Sequence, residues 1–149
     1  MRIKKGKTVV CLWMGMVLAG VAGAGSFTDN GNGTVTDGAT GLVWQRRDDN
    51  KKRSWTGALA YCEEDVNLAG KIDWRLPNIR ELRSIVDYEK YNPAIDATFF
   101  PDTDSWYYWS STSRTDFTGN AWYVDFDDGD VFHHFRSDGY YVRCVRGGQ

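Results

Sequence analysis

Asp73-Trp74-Arg75-Leu76-Pro77-Asn78, continuing as Ile79-Arg80-Glu81-Leu82-Arg83-Ser84-Ile85-Val86-Asp87, is the run that decides how this chain folds. Its first half reads as a short buried strand that stops at Pro77, which has no N–H to give to a ladder. Its second half reads as an amphipathic helix. Asn78 stands at the N-cap, Glu81 follows three residues on where a capping-box acid belongs, and Ile79, Leu82, Ile85 and Val86 share one face. Arg75 is expected to be held by a local carboxylate such as Asp73. A strand and a helix fused through one proline make a stiff corner. The corner reads as scaffold, not as an active site.

Upstream, residues 1–24 read as a signal peptide. Arg2, Lys4, Lys5 and Lys7 form a basic head, Val9 to Val21 an apolar core, and Ala22-Gly23-Ala24 a small-residue cleavage signal. The core is shorter and richer in glycine than the roughly 20 apolar residues that a membrane anchor needs, so no span is expected after cleavage. Cys11 opens the apolar run instead of following the cleavage box, which argues against a lipid-anchored cysteine. The expected location is the periplasm or the cell surface.

Cleavage changes the charge. The leader takes four of the 18 Lys and Arg residues and none of the 20 Asp and Glu, leaving 14 against 20, about −6. Nucleic acid and anionic membranes each want a basic face and are not expected partners. Arg46-Arg47 and Lys51-Lys52-Arg53 make the only basic cluster, and it reads as a solvated loop. Cys62 and Cys144 survive cleavage. In an exported protein an even pair favours a disulfide over a metal site or a catalytic thiol.

Residues 25–149 have the size of one domain. Phe27 to Gly38 reads as two short strands around Asn-Gly turns, and Leu42 to Gln45 as the next strand. The oxygens of Asp29, Asn30, Asn32 and Asp37 lack the spacing and closing glutamate of a calcium loop, so these residues are read as turn formers. Ser54 caps a helix with Trp55, Leu59, Cys62 and Val66 on one stripe, ended by Leu68-Ala69-Gly70. Tyr88 to Asp104 is irregular, broken at Pro93 and Pro101, with Phe99 and Phe100 plugging it onto the core. Trp106 to Ser111 reads as a strand and Thr112 to Asn120 as a polar loop. In the hairpin of residues 121–136, Asp128-Gly129 signals a type I′ turn that would pair Asp127 with Asp130, Asp125 with Phe132, and Tyr123 with His134. Trp122, Val124, Phe126, Val131, His133 and Phe135 would face the core. Tyr123, Asp125, Asp127, Asp130, Phe132 and His134 would face out. Tyr140 to Arg146 is the last strand.

Six ordered segments now point to a family: FTDNGNGTVTDGATGLVWQ from Phe27, the W…AL.YC pattern ending at Cys62, DWRLPN..EL.SIVD, YYWSS, NAWYVDFDDG and YVRCVR. Together they resemble the Lcl C-terminal domain family of exported bacterial domains over nearly all of Phe27 to Arg146. The resemblance implies an α+β, C-type-lectin-like fold: a mostly antiparallel twisted sheet, two helices and a long loop region. It also implies a bridge from the first helix to the last strand, which fits Cys62 and Cys144, and a role in adhesion, since the founding group is implicated in attachment to glycans that include sulfated glycosaminoglycans. This chain departs from that pattern: its charge of about −6 stands against a sulfated polyanion, and it reads as a lone domain with no collagen-like stalk.

Three constellations carry candidate chemistry. Asp125, Asp127 and Asp130 on one hairpin face are the candidate metal ligands, because calcium would relieve the repulsion among three carboxylates. Calcium is the one cofactor considered, and none is required. His133 and His134 point to opposite faces of a strand and cannot share a metal; His133 reads as core and His134 as exposed. Tyr108, Tyr123, Asp116 and Asn120, with His134, are the candidate ligand-binding residues, since sugar rings stack on aromatic faces while polar side chains take their hydroxyls. Trp109 and Trp122 read as core. No nucleophile–base set appears, and a Cys62–Cys144 bridge leaves no thiol for the related group that oxidises sulfatase cysteines. The expected function is therefore a non-enzymatic binding domain for a glycan or surface protein, with a structural or assembly module of the envelope as the alternative.

Overall fold

The computed structural model describes residues 26–148. The signal-peptide reading and Cys11 lie outside them. The architecture is α+β and mostly sheet. Strands β1 (Phe27–Asp29), β2 (Thr34–Asp37), β3 (Val43–Gln45) and β7 (Val145–Arg146) form one antiparallel sheet in the order β1-β2-β3-β7. Strands β4 (Tyr107–Ser113), β5 (Asn120–Asp125) and β6 (Val131–Phe135) form a second, in chain order. The last segment makes single bridges: Tyr141 to Tyr108 of the second sheet, Tyr140 to Arg53 before α1, and Val145 to Arg75 at the corner. No helix among the described residues is long and apolar enough to cross a membrane.

The first turns spend their oxygens on themselves. Asp29 accepts from the Gly31 N–H, Asn32 from the N–H and hydroxyl of Thr34, and Asp37 from Ala39 and Thr40. Helix α1 (Trp55–Ala60) is capped by Ser54, whose Oγ accepts from the Gly57 N–H. It is shorter than expected: the chain widens into a π-helical turn over Tyr61–Asp65 and leaves at Val66. Glu63, Glu64 and Asp65 put three acids at the helix C-terminus, where the macrodipole opposes them. Cys62 and Val66 of the expected stripe are nevertheless buried, and Trp55 and Leu59 are half-buried against the same core.

Cys62 is bonded to Cys144, tying the first helical segment to the chain just before β7 across a sequence separation of 82. Chain entropy assigns a loop of that length roughly 4.5 kcal/mol.

The corner at residues 73–78 is a single bridge instead of a strand, with Arg75 and Val145 exchanging two hydrogen bonds of 2.9 Å. Alternation still holds: Trp74 and Leu76 go into the core and Arg75 points away. The partner of Arg75 is Glu81, in a two-pronged pair at 2.7 and 2.8 Å, whereas Asp73 holds Arg146 at 2.8 and 2.9 Å. Glu81 also closes the capping box, accepting from the Asn78 N–H at 2.8 Å while Asn78 accepts from the Glu81 N–H at 2.9 Å. Helix α2 (Ile79–Ser84) buries Leu82, with Ile85 at its end and Ile79 and Val86 packed alongside. Phe100 is fully buried and Phe99 partly so, as the plug reading expected.

The basic cluster lies in a loop with Arg47, Lys51 and Lys52 exposed, as expected, but its arginines are paired. Arg46 holds Asp29 at 2.8 Å, Arg47 holds Asp102 at 2.6 Å, and Arg53 pairs with Asp49.

Candidate functional site

The sheet β4-β5-β6 carries every candidate site residue or lies against it. Its hairpin differs from the expected one. Tyr123 pairs with Phe132 and Ala121 with His134, so each partner sits two residues from the type I′ register. The strands end instead at Asp125, whose N–H donates to the Asp130 carbonyl at 2.8 Å, and a four-residue loop lies between. Phe126 explains the change. It is fully buried, and its carbonyl accepts from Ala94 at 2.7 Å while that of Asp127 accepts from Asn92 at 2.8 Å. Docking the loop backbone onto residues 92–94 outweighs a free two-residue turn. A shift of two preserves which face each side chain takes.

One face holds a continuous row of aromatic rings. Trp106 stacks on Tyr107 with centroids 4.7 Å apart, Tyr107 lies 4.7 Å from Tyr123, and Tyr123 lies 6.1 Å from Phe132. Tyr140 closes the row from beneath, 5.1 Å from Tyr107 and 4.9 Å from Tyr123. The ends are the exposed parts: Trp106 is 45% and Phe132 49% exposed. Between them Tyr123 and Tyr140 are buried to 7% and 8%. Among the described residues, the hydroxyls of Tyr107, Tyr123 and Tyr140 have no hydrogen-bond partner, and none is cut off from solvent. Burial pushes the Tyr123 hydroxyl up to about 12, with Tyr107 and Asp125 adding to it. Burial likewise raises Tyr140, helped by Tyr123, Asp138 and Tyr107. Both stay protonated donors at any ordinary pH.

Charge surrounds this row. Asp125 stands opposite Tyr107 in the ladder, so the two share the face. Burial pushes its carboxyl above the ordinary range; the Asp127 N–H at 3.0 Å works the other way, and Asp128, Asp127 and Asp130 add to the rise. Lys52 lies over Trp106, 5.0 Å from the ring centre, and His134 pairs with Asp138.

The opposite face is built differently. Trp122, half-buried instead of core, stands edge-on to His133 at 5.1 Å. With Val131 and the α2 residues Ile79, Arg80 and Arg83 it lines an open hollow of 210 Å³. At the far end of the sheet, Arg114 grips Asp116 with two bonds of 2.6 Å and also contacts His133, while the Asn120 amide nitrogen lies 3.1 Å from His133 Nδ1. That ion pair holds the Asp116 carboxyl below its usual range.

The five sequence-derived ligand candidates therefore divide among three places. Asp116 and Asn120 come together around Arg114 and around His133, which the strand pattern alone places in the core. Tyr123 and His134 lie on the aromatic face. Tyr108 is in the core, fully buried, its hydroxyl donating to Asp48 at 2.7 Å and accepting from the Asp104 N–H at 3.0 Å. It faces no surface. The three expected calcium ligands do not converge: Asp127 enters the turn, Asp125 and Asp128 each spend one oxygen on a backbone N–H within it, and no metal-holding group of three or more appears among the described residues. Trp106, Tyr107, Phe132 and Tyr140 complete the aromatic face. Strand parity already places Phe132 on the face of Tyr123 and His134. Tyr140 arrives through its bridge to Arg53, which no local pattern announces.

A family model described as the Lcl C-terminal domain matches residues 33–146. No curated protein matches the chain.

Proposed function

Because the chain belongs to the Lcl C-terminal domain family, we propose that it is an exported, non-catalytic, C-type-lectin-like binding domain that recognises a glycan on its aromatic face. The row Trp106–Tyr107–Tyr123–Phe132 carries this reading. It crosses three strands, and strands lie about 4.8 Å apart, so it offers room for two or three sugar rings. Exposed rings at both ends supply stacking surfaces, and the unpartnered tyrosine hydroxyls between them supply donors and acceptors for sugar hydroxyls. The signal-like leader and the Cys62–Cys144 bridge support a periplasmic or cell-surface location.

A protein partner in an envelope assembly is the second reading. It is favoured by β6, an edge strand of five residues with no Asp, Glu, Lys or Arg that exposes Phe132 and Phe135. A glycan array probed with the parent and with the Trp106→Ala/Phe132→Ala variant separates the two. Glycan recognition is expected to give hits that the variant loses. Silence across diverse sugars, together with capture of an envelope protein that depends on Phe132 and Phe135, would replace it with the assembly reading.

A further inference from the structure

The aromatic face is specific about charge in a way that its rings alone would not be. We infer that it takes a sugar carrying a free amine, with the ring stacked on the Trp106–Phe132 row and the ammonium seated against Asp125. The inference rests on the glycan reading above and names the chemical class of its ligand.

Three observations converge. The first is that Tyr123 and Tyr140 are more than nine-tenths buried yet leave their hydroxyls without a partner among the described residues. Because these hydroxyls still reach solvent, water completes them in the free protein and a sugar hydroxyl can take its place. The second is Asp125. It shares the face with Tyr107, one of its oxygens accepts from Asp127, and the other has no hydrogen-bond partner among the described residues. A half-buried carboxylate of this kind gains most from a cation brought to its free oxygen.

The third is the sign of everything else nearby. Asp130 immediately precedes β6, its carbonyl accepting from the Asp125 N–H, and Asp127 and Asp128 occupy the loop. Of the cations nearby, Arg53 is paired with Asp49, and Lys52 lies on the faces of Trp106 and Tyr141. A sulfate or carboxylate seated at Asp125 would meet like charge from Asp125 and from the Asp127, Asp128 and Asp130 carboxylates beside it. An N-acetyl group would keep the shape and remove the charge.

The test is titration of the protein with hexamers of glucosamine and of N-acetylglucosamine and with a heparin hexasaccharide. The glucosamine hexamer is expected to bind about tenfold more tightly than the acetylated one, the scale by which a charge-assisted hydrogen bond exceeds a neutral one. Heparin is expected to bind most weakly. Asp125→Asn should erase the preference for the amine, and Trp106→Ala/Phe132→Ala should weaken both neutral and aminated hexamers. Equal affinity for the two glucosamine-based hexamers, or tighter binding of heparin, with the aromatic variant still weakening binding, would overturn the amine assignment and leave the glycan site standing. Binding of none of the three would overturn both.

Discussion

Arg143 and Asp48 form an ion pair at 3.2 Å with side chains 0% and 1% exposed, so one guanidinium and one carboxylate are taken out of water together. Neither is stranded. Arg143 also donates to the carbonyls of Gln45 and Arg46 at 2.7 Å and to the Thr103 hydroxyl at 2.9 Å, and Asp48 accepts from the Tyr108 hydroxyl at 2.7 Å. The network binds the loop after β3, the loop before β4 and the last segment of the chain into one buried unit. Arg143→Met is expected to lose about 3–5 kcal/mol, because it leaves a buried carboxylate without its counter-charge. Urea unfolding measures it. Asp48→Asn in the Arg143→Met background should recover part of the loss.

Acid stability should report Glu81. Burial would raise its carboxyl, but the Arg75 pair and the Asn78 N–H outweigh burial and hold it below the ordinary 4.5. The folded form therefore binds this proton more weakly than the unfolded chain does. The stability it contributes is fully present above the ordinary value and is lost as the pH falls through the lowered one. In Glu81→Gln the parent's loss of stability below that value should be shallower, at the cost of lower stability at neutral pH. An unchanged acid profile by thermal melts across pH would remove Glu81 from this role.

Gly129 sits at φ +87° at the tip of the β5–β6 hairpin, and a Cβ there would come within 2.5 Å of Val86 Cγ1 and 3.1 Å of Tyr88 Cε1. Gly129→Ala should cost about 2–4 kcal/mol, the left-handed backbone and the overpacking acting together. Gly119 has open space around its Cβ position and an ordinary φ. Gly119→Ala should leave the melting temperature close to the parent's. Equal effects from the two substitutions would mean that the hairpin tip is not docked as described.

Replacing Cys62 and Cys144 together by alanine should lower stability by about 2–5 kcal/mol, the range for a native bridge in a small exported domain. Both alanines lie where the cysteines are fully buried, so no thiol or charge complicates the comparison. Denaturant midpoints of the parent with and without reductant should reproduce the same difference.

Local signals carried the fold further than they carried the site. The Asn78–Glu81 capping box, the Gly31 and Gly33 turns and the burial of Trp74, Leu76 and Phe100 follow from spacing along the chain, and each is found as expected. The errors fall where a distant segment decides. Tyr108 carries a polar hydroxyl in an aromatic strand and so reads as a ligand candidate, but Asp48, 60 positions away, satisfies that hydroxyl inside the core. The hairpin register yielded to Phe126 and the 92–94 segment. Arg75 chose Glu81 over Asp73 because capping had already brought that carboxylate to the corner. Charges in the 46–53 loop found partners in β1 and beyond Pro101, which no composition reveals.

One measurement tests most directly which face of the domain binds: aromatic carbon–proton NMR spectra recorded during titration with a glucosamine hexamer. Resonances of Trp106, Tyr107, Tyr123, Phe132 and Tyr140 are expected to shift together and saturate, while those of Trp122 and His133 on the opposite face stay in place. Shifts confined to Trp122 and His133, or no shift in the aromatic row at saturating sugar, would contradict the assignment of the binding face.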